Sequence, residues 1–269
     1  MKSVKFTLLV ILSFVAAISG QETLRECGQI ISANSGTIEY KLGETYDKFE
    51  ACAFIVRVQN FSYIKFTLEE SGISGRDRNA ITIMGFNENN HTATYTLGPP
   101  NTELEAEVKG SIAVVIFRSW SISGFGKGFR LGFEGIGGSL ETIPGFDMVF
   151  NNEKFSPLEI PFSNNFTNVA STNLMVFTNE AHMMTEVGDV FTMNLSGHVM
   201  EDPYCWDFFS VYSFTYVTSP VLEQTICDMN TATTEFHTPG IFIVFFRNYG
   251  GRFTSATVEW GIDYEYYTD

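Results

Sequence analysis

Short runs rich in Val, Ile, Thr, Phe and Tyr recur from residue 54 onward, several of them alternating apolar and polar positions. They are FIVRV (54–58), YIKFTLE (63–69), AITIMGF (80–86), TATYTL (92–97), IAVVIF (112–117) and FRLGFE (129–134). Gly, Pro, Asn and Ser punctuate them, which is the signature of strands separated by turns. A second series follows: LEIPF (158–162), NLMVFT (173–178), DVFTMNL (189–195), DFFSVYSF (207–214), ATTEFH (232–237), GIFIVFF (240–246) and TSATVEW (254–260). No window carries a helical apolar stripe, so the pattern predicts an all-β fold of sandwich type.

The two series repeat each other. IAVVIFRSWS (112–121) and IFIVFFRNYG (241–250) match at Ile112 and Ile241, Val115 and Val244, Phe117 and Phe246, Arg118 and Arg247. AITIMGF and FFSVYSF align at nearly the same offset, as do GFRLGF (128–133) and SATVEW (255–260). A near-constant offset over three blocks predicts two copies of one domain. The Gly-rich GIGGSLETIPG (135–145) has no strand pattern and is the expected linker. The boundaries are then a leader over 1–20, a first domain over 21–135, a linker over 136–145 and a second domain over 146–269. Ile241 to Phe246 are six apolar residues in a row. A strand with one wet face alternates, so the neighbouring domain is expected to cover this one.

The leader changes where the chain is expected to work. Lys2 and Lys5 precede an apolar run from Phe6 to Ile18 and the small residues Ser19 and Gly20, the layout of a cleaved secretory signal. The run is shorter than the ~20 residues that a spanning helix needs, so no membrane insertion is expected. The formal charge is −15 for the 269 residues. Such a balance argues against nucleic acid and anionic membrane surfaces as partners.

An oxidising compartment gives the four cysteines a meaning. Cys27, Cys52, Cys205 and Cys227 allow three pairings, and no two are spaced for zinc. Cys27–Cys52 with Cys205–Cys227 keeps each bridge inside one half, each worth ~3 kcal/mol by loop closure. Secretion also makes four sequons candidate glycosylation sites: Asn60, Asn90, Asn165 and Asn194.

With these landmarks the first half resembles a CUB domain. CGQIISANSGTIEYKLGETYDKFEAC (27–52) resembles the opening of that family: a cysteine, a glycine, a Ser-Gly-x-Ile turn, a Tyr and a second cysteine before an apolar strand. FRSWSISGFGKGFRLGFEG resembles its ending, and CWDFFSVY in the second half resembles its Cys-x-Asp core strand. Each half departs from the two-disulfide pattern, the first keeping only the first pair and the second only the second. The chain is most similar to nematode CUB-like secreted proteins. The resemblance implies two divergent CUB-like β-sandwiches (jelly rolls) in tandem after a signal peptide. It also implies a secreted, non-enzymatic binding protein that engages an extracellular protein or glycan, with a link to innate immunity against bacteria.

Many CUB domains bind calcium through an acidic cluster, and the resemblance places Glu69, with Asp77 or Asn79, at two of its positions. Trp120 stands at the third. In the second half Asp207 fits, while Asn194 and Tyr249 stand at the others. Calcium takes six to eight oxygens, so no metal and no other cofactor is expected. His91, His182, His198 and His237 lie in no nucleophile motif, and GFGKG (124–128) leads into a strand where a phosphate loop needs a helix. No catalytic residue is assigned. A secreted hydrolase of unrecognised type and an extracellular structural protein are the other readings. The aromatic end WGIDYEYY (260–267) is expected to be a packed terminal strand, with a contact surface as the alternative.

Overall fold

The computed structural model describes residues 22–48, 50–87, 90–99, 103–119, 126–138, 146–151, 158–159, 171–177, 189–199, 204–214, 220–227, 234–238, 241–248 and 253–264. The leader, Trp120, Asn165, His182, Tyr249, most of the linker and the end of the aromatic tail lie outside them. Every regular element among the described residues is a strand. The first half contributes β1 (Glu22–Leu24), β2 (Ile30–Ser32), β3 (Ser35–Thr45), β4 (Ala51–Arg57), β5 (Tyr63–Ser71), β6 (Ile81–Phe86), β7 (His91–Leu97), β8 (Glu105–Lys109), β9 (Ile112–Arg118) and β10 (Lys127–Ile136). The second contributes β11 (Phe146–Asn151), β12 (Leu158–Glu159), β13 (Ser171–Phe177), β14 (Asp189–Val199), β15 (Phe208–Phe214), β16 (Val221–Ile226), β17 (Thr234–Thr238), β18 (Ile241–Asn248) and β19 (Phe253–Tyr264).

These strands form four sheets, ordered β1-β3-β10-β5-β8, β2-β4-β9-β6-β7, β11-β13-β18-β15-β16 and β12-β19-β14-β17. Each half of the chain thus supplies one pair of sheets, and the connectivity repeats. In the β2–β7 sheet a parallel edge pair is followed by three antiparallel ones. The β11–β16 sheet has the same sequence of pairings. The repeated Phe-Arg strands β9 and β18 hold the same place, at the centre of each.

The period-2 rule of a strand explains how one chain fills two layers. In β9, Ala113, Val115 and Phe117 join a core with Cys52, Phe54 and Val56 of β4 and with Ile38, Phe66, Phe129 and Leu131 of the opposing sheet. Phe117 lies 5.0 Å, ring to ring, from Tyr46 and 5.6 Å from Phe129. The intervening Ile112, Val114 and Ile116 point the other way. They meet Leu174, Val176, Phe208, Tyr212, Phe214, Ile241, Ile243 and Phe245 from the second half, together with Ala53, Ile55, Met84 and Phe86 of their own sheet. Both faces of the sheet are dry, which is why IAVVIF does not alternate. GIFIVFF has the same cause: Phe242, Val244 and Phe246 on the opposite face of β18 are buried as well. The ring of Phe86 stacks on that of Phe245 across the seam, with centroids 5.8 Å apart.

Turn chemistry fixes where β8 passes to β9. Gly110 has φ +126°, and an added Cβ would lie 2.1 Å from the carbonyl oxygen of Phe86. Its N–H donates to the Ser62 carbonyl at 2.8 Å. Gly110→Ala is therefore expected to lower stability by about 2 kcal/mol, read as a shift in the urea midpoint. An unchanged midpoint would show that the turn relaxes freely.

Candidate functional site

Three surroundings gather the chemistry-bearing side chains. The first is the corner where Cys205 enters β15. Cys205 is bonded to Cys227, just past β16, with Cα atoms 5.1 Å apart. Cys205 takes a left-handed backbone, φ 53°, uncommon for a residue with a side chain and frequent at functional turns. Its neighbours Tyr204 and Trp206 are 77% and 61% exposed. The next residue, Asp207, is fully buried, so the chain dives into the sheet directly after presenting two aromatic rings. Both edges of this corner are pinned: Phe209 pairs with Ile226, and the Arg247 guanidinium lies 6.0 Å over the Phe208 ring. Exposed aromatics on a pinned corner suit binding, because the backbone that carries them is already ordered and each ring has only two side-chain torsions to fix.

The second is the outward face of β1-β3-β10-β5-β8. A depression of about 250 Å³ opens there, lined by Ser35, Lys65, Thr67, Glu69, Gly132 and Glu134. Glu69 reaches it through a β-bulge. Arg130 pairs with Glu70 and Leu131 with Leu68, leaving Glu69 unopposed; a bulge re-aims a side chain in this way. Its Oε1 would lie 2.5 Å from a Cβ at Gly132, so the glycine leaves the carboxylate room. Around it Arg130 bridges Glu39 at 2.9 Å and Glu70 at 3.3 Å, and Lys65 meets Glu105 at 2.9 Å.

The third is a buried polar knot at the end of the first sandwich. Glu50 accepts from the Tyr40 hydroxyl, from Lys41 Nζ at 2.6 Å and from the Asp47 N–H at 2.7 Å. Asp77, fully buried, accepts from the Tyr46 hydroxyl, which itself accepts from the Ser74 N–H at 3.0 Å. Burial first, and then the neighbouring carboxylate, push both phenols well above the usual tyrosine range. These acids serve as acceptors that satisfy buried hydroxyls.

The sequence-predicted residues distribute among these surroundings. Glu69 lies on the outer face of a sheet and Asp77 inside the knot. The two acids that the resemblance placed together do not share one site. Asn79 has φ 53° and donates its N–H to the Pro99 carbonyl at 2.9 Å. Among the described residues no three His, Cys, Asp or Glu side chains come together. Cys27 is joined to Cys52, with Cα atoms 5.3 Å apart, and each bridge stays inside one half.

Of the sequons, Asn60 is an exposed turn residue with φ 65°. Asn90 is exposed, and its Oδ1 accepts from the Tyr212 hydroxyl at 3.0 Å. Asn194 is partly exposed on β14, in register with Glu235 and Glu259. His91 packs at the seam between the halves, while His198 and His237 occupy strand positions opposite Ser255 and Thr192. The first part of the predicted terminal strand, Trp260 to Tyr264, lies in β19 with Trp260 in register with Met193, and residues 265–267 lie outside the described residues. The corner of Tyr204 and Trp206 is the surface that the sequence pattern did not reveal. The signal available was CW: an aromatic beside a cysteine, before a strand already filled by its own phenylalanines.

No known family model matches this chain, and no curated protein sequence does. Solved structures of low similarity exist. The CUB1-EGF-CUB2 domains of rat MASP-1 align at 11% identity, covering 89% of this chain and all of that one, with a TM-score of 0.31. The human MASP-1/3 domains of the same composition align at 13% identity over 85% of this chain and all of theirs, with a TM-score of 0.29. The extracellular region of zebrafish Gpr126/Adgrg6 aligns at 11% identity over 87% of this chain and 33% of its own, with a TM-score of 0.30. The described residues form an all-β chain with two pairs of sheets.

Proposed function

We propose that this chain is a secreted, non-enzymatic binding protein built from two divergent CUB-like sandwiches, and that it engages an extracellular glycan or protein. One observation carries the reading: Tyr204 and Trp206 stand exposed on a corner locked by the Cys205–Cys227 bond. Aromatic residues exposed on a rigid support are the usual anchors of a recognition surface. Support for the compartment comes from the apolar leader and from cysteines spent as two disulfides. The acidic balance of −15 steers the protein away from polyanions. The role suggested by the sequence resemblance, a part in innate immunity to bacteria, fits such a surface. N-linked sugars on Asn60, Asn90 and Asn194 are part of the proposal, since all three offer at least part of their surface to solvent.

A glycan array and a pulldown on bacterial cell-wall preparations, both with the purified protein, test it. Retention by at least one glycan or surface is expected to fall about tenfold in Trp206→Ala, the loss of about 1.4 kcal/mol. Tyr204→Ala is expected to lose less. No retention on either platform, or full retention by the double variant, would overturn the reading.

A further inference from the structure

We propose that His91 makes the seam between the two halves acid-labile: protonation of its ring releases the contacts that hold the sandwiches together. The seam is an apolar layer, and His91 is the ionisable ring at its rim. On the first half its centroid lies 5.7 Å from Phe86, edge to face. On the second half it lies 5.6 Å from Tyr212. Phe86 and Tyr212 also meet each other at 6.1 Å and 81°. The three rings therefore form one cluster, with two members from one half and one from the other. The adjacent residue ties the same place, because the Tyr212 hydroxyl donates to Asn90 Oδ1 at 3.0 Å.

The ring sits beside one hydroxyl and is partly buried. His91 Nε2 lies 2.8 Å from Thr94 Oγ1. Burial pulls the imidazole below its ordinary range, opposed by a weaker bond to the Ala93 backbone. Among the described residues no charged side chain takes part in that balance. β6 carries no titratable residue. On β15 the titratable group is the Tyr212 phenol, pushed up to about 12 by burial and therefore neutral throughout. Among the described residues, the charged groups on the neighbouring strands include Glu105, Glu107 and Lys109 of β8, Arg118 of β9, Glu223 of β16 and Arg247 of β18. Of these, Glu223 is bonded by Ser213 and Glu105 is paired with Lys65.

The sign follows from linkage. A histidine whose folded value lies below its free value of ~6.5 contributes stability that is complete above that pH. The contribution is lost as pH falls from ~6.5 through the lowered folded value. With the seam open, His91 meets water and regains its ordinary affinity for the proton. Acid therefore favours the opened arrangement, and each unit of depression is worth about tenfold in that equilibrium. His91 is the one histidine between residues 21 and 135, so no other imidazole of the first half titrates as the seam loosens.

The test compares the full-length protein with His91→Gln by small-angle X-ray scattering and by fluorescence of the dye ANS, at pH 7.5 and pH 5.0. In the native protein ANS fluorescence is expected to rise at least about threefold on acidification, with a larger radius of gyration. The variant is expected to hold its pH 7.5 values at both pH values. A native protein unchanged at pH 5.0 overturns the proposal, and so does a variant that responds as strongly as the native protein. Should His91→Gln lose its near-UV circular dichroism at pH 7.5, His91→Phe, which keeps an aromatic ring of similar shape, takes its place under the same criteria.

Discussion

Phe86→Ala is expected to cost about 3 to 5 kcal/mol, the range for removing a buried aromatic ring from a site that cannot collapse. The side chain is fully buried. Its ring stacks on Phe245 and stands edge-on to Tyr212, so truncation opens a cavity lined from both halves of the chain. Backbone on either side is fixed by pairing with β7 and β9, which limits collapse into the void. Urea unfolding followed by circular dichroism measures the loss. A double-mutant cycle with Phe245→Ala isolates the contact across the seam, with a coupling of about 0.5 to 1.5 kcal/mol expected. A Phe86→Ala cost below about 1 kcal/mol would mean that the seam is loosely packed, and would count against the acid response assigned to His91.

Removing the Cys27–Cys52 bridge as the pair Cys27→Ala and Cys52→Ala is expected to cost about 3 kcal/mol. The bond closes a separation of 25 residues. Cys52 is completely buried on β4 among the first-half core, while Cys27 sits half-buried in the turn ahead of β2. Without the bond, the segment from β1 to β3 gains freedom in the unfolded chain, and its parallel pairings β1 with β3 and β2 with β4 must be won from a longer open loop. The outcome is read as a drop in denaturant midpoint for the pair, smaller than the drop on full reduction of the native protein, which opens both bridges. The second bridge offers a contrast. Its removal frees the corner of Tyr204 and Trp206, so ligand retention should fall together with stability. A pair of first-half alanines that lost retention equally would place the recognition surface elsewhere.

The inner strands of the two sheets that meet at the seam were the most legible part of the sequence. β4, β6, β9, β15 and β18 announce themselves because strands dry on both faces become nearly continuous apolar runs. The lack of alternation over Ile241 to Phe246 already required a cover, and the layer containing Ile112, Val114 and Ile116 supplies it. Less legible were the edges. β8 reads EAEVK, and β16 reads VLEQTI with five of its six residues exposed; a strand with little to bury carries little pattern. β3 was hidden differently. Its SGTIEYKLGET resembles a turn, and the structure extends it as a strand of 11 residues, with Gly36 and Thr37 in register against Phe133 and Gly132. The candidate site was the least legible. Exposure of Tyr204 and Trp206 depends on the left-handed Cys205 and on the bond to Cys227. The placement of Glu69 depends on a bulge set by β10. Neither is local to the residues concerned.

The dry outer face of β4, β6 and β9 has a consequence for synthesis. A growing chain completes the first pair of sheets at Ile136, yet the strand that lies at the centre of the covering sheet begins only at Ile241. At ~5 to 20 residues per second, the nascent protein carries an uncovered layer of Ile55, Met84, Phe86, Val114 and Ile116 for roughly 5 to 20 seconds. During that interval the same apolar face is open on every other nascent copy nearby. The order in which the halves are made thus sets a window in which the wrong half, on another chain, competes for the same seam.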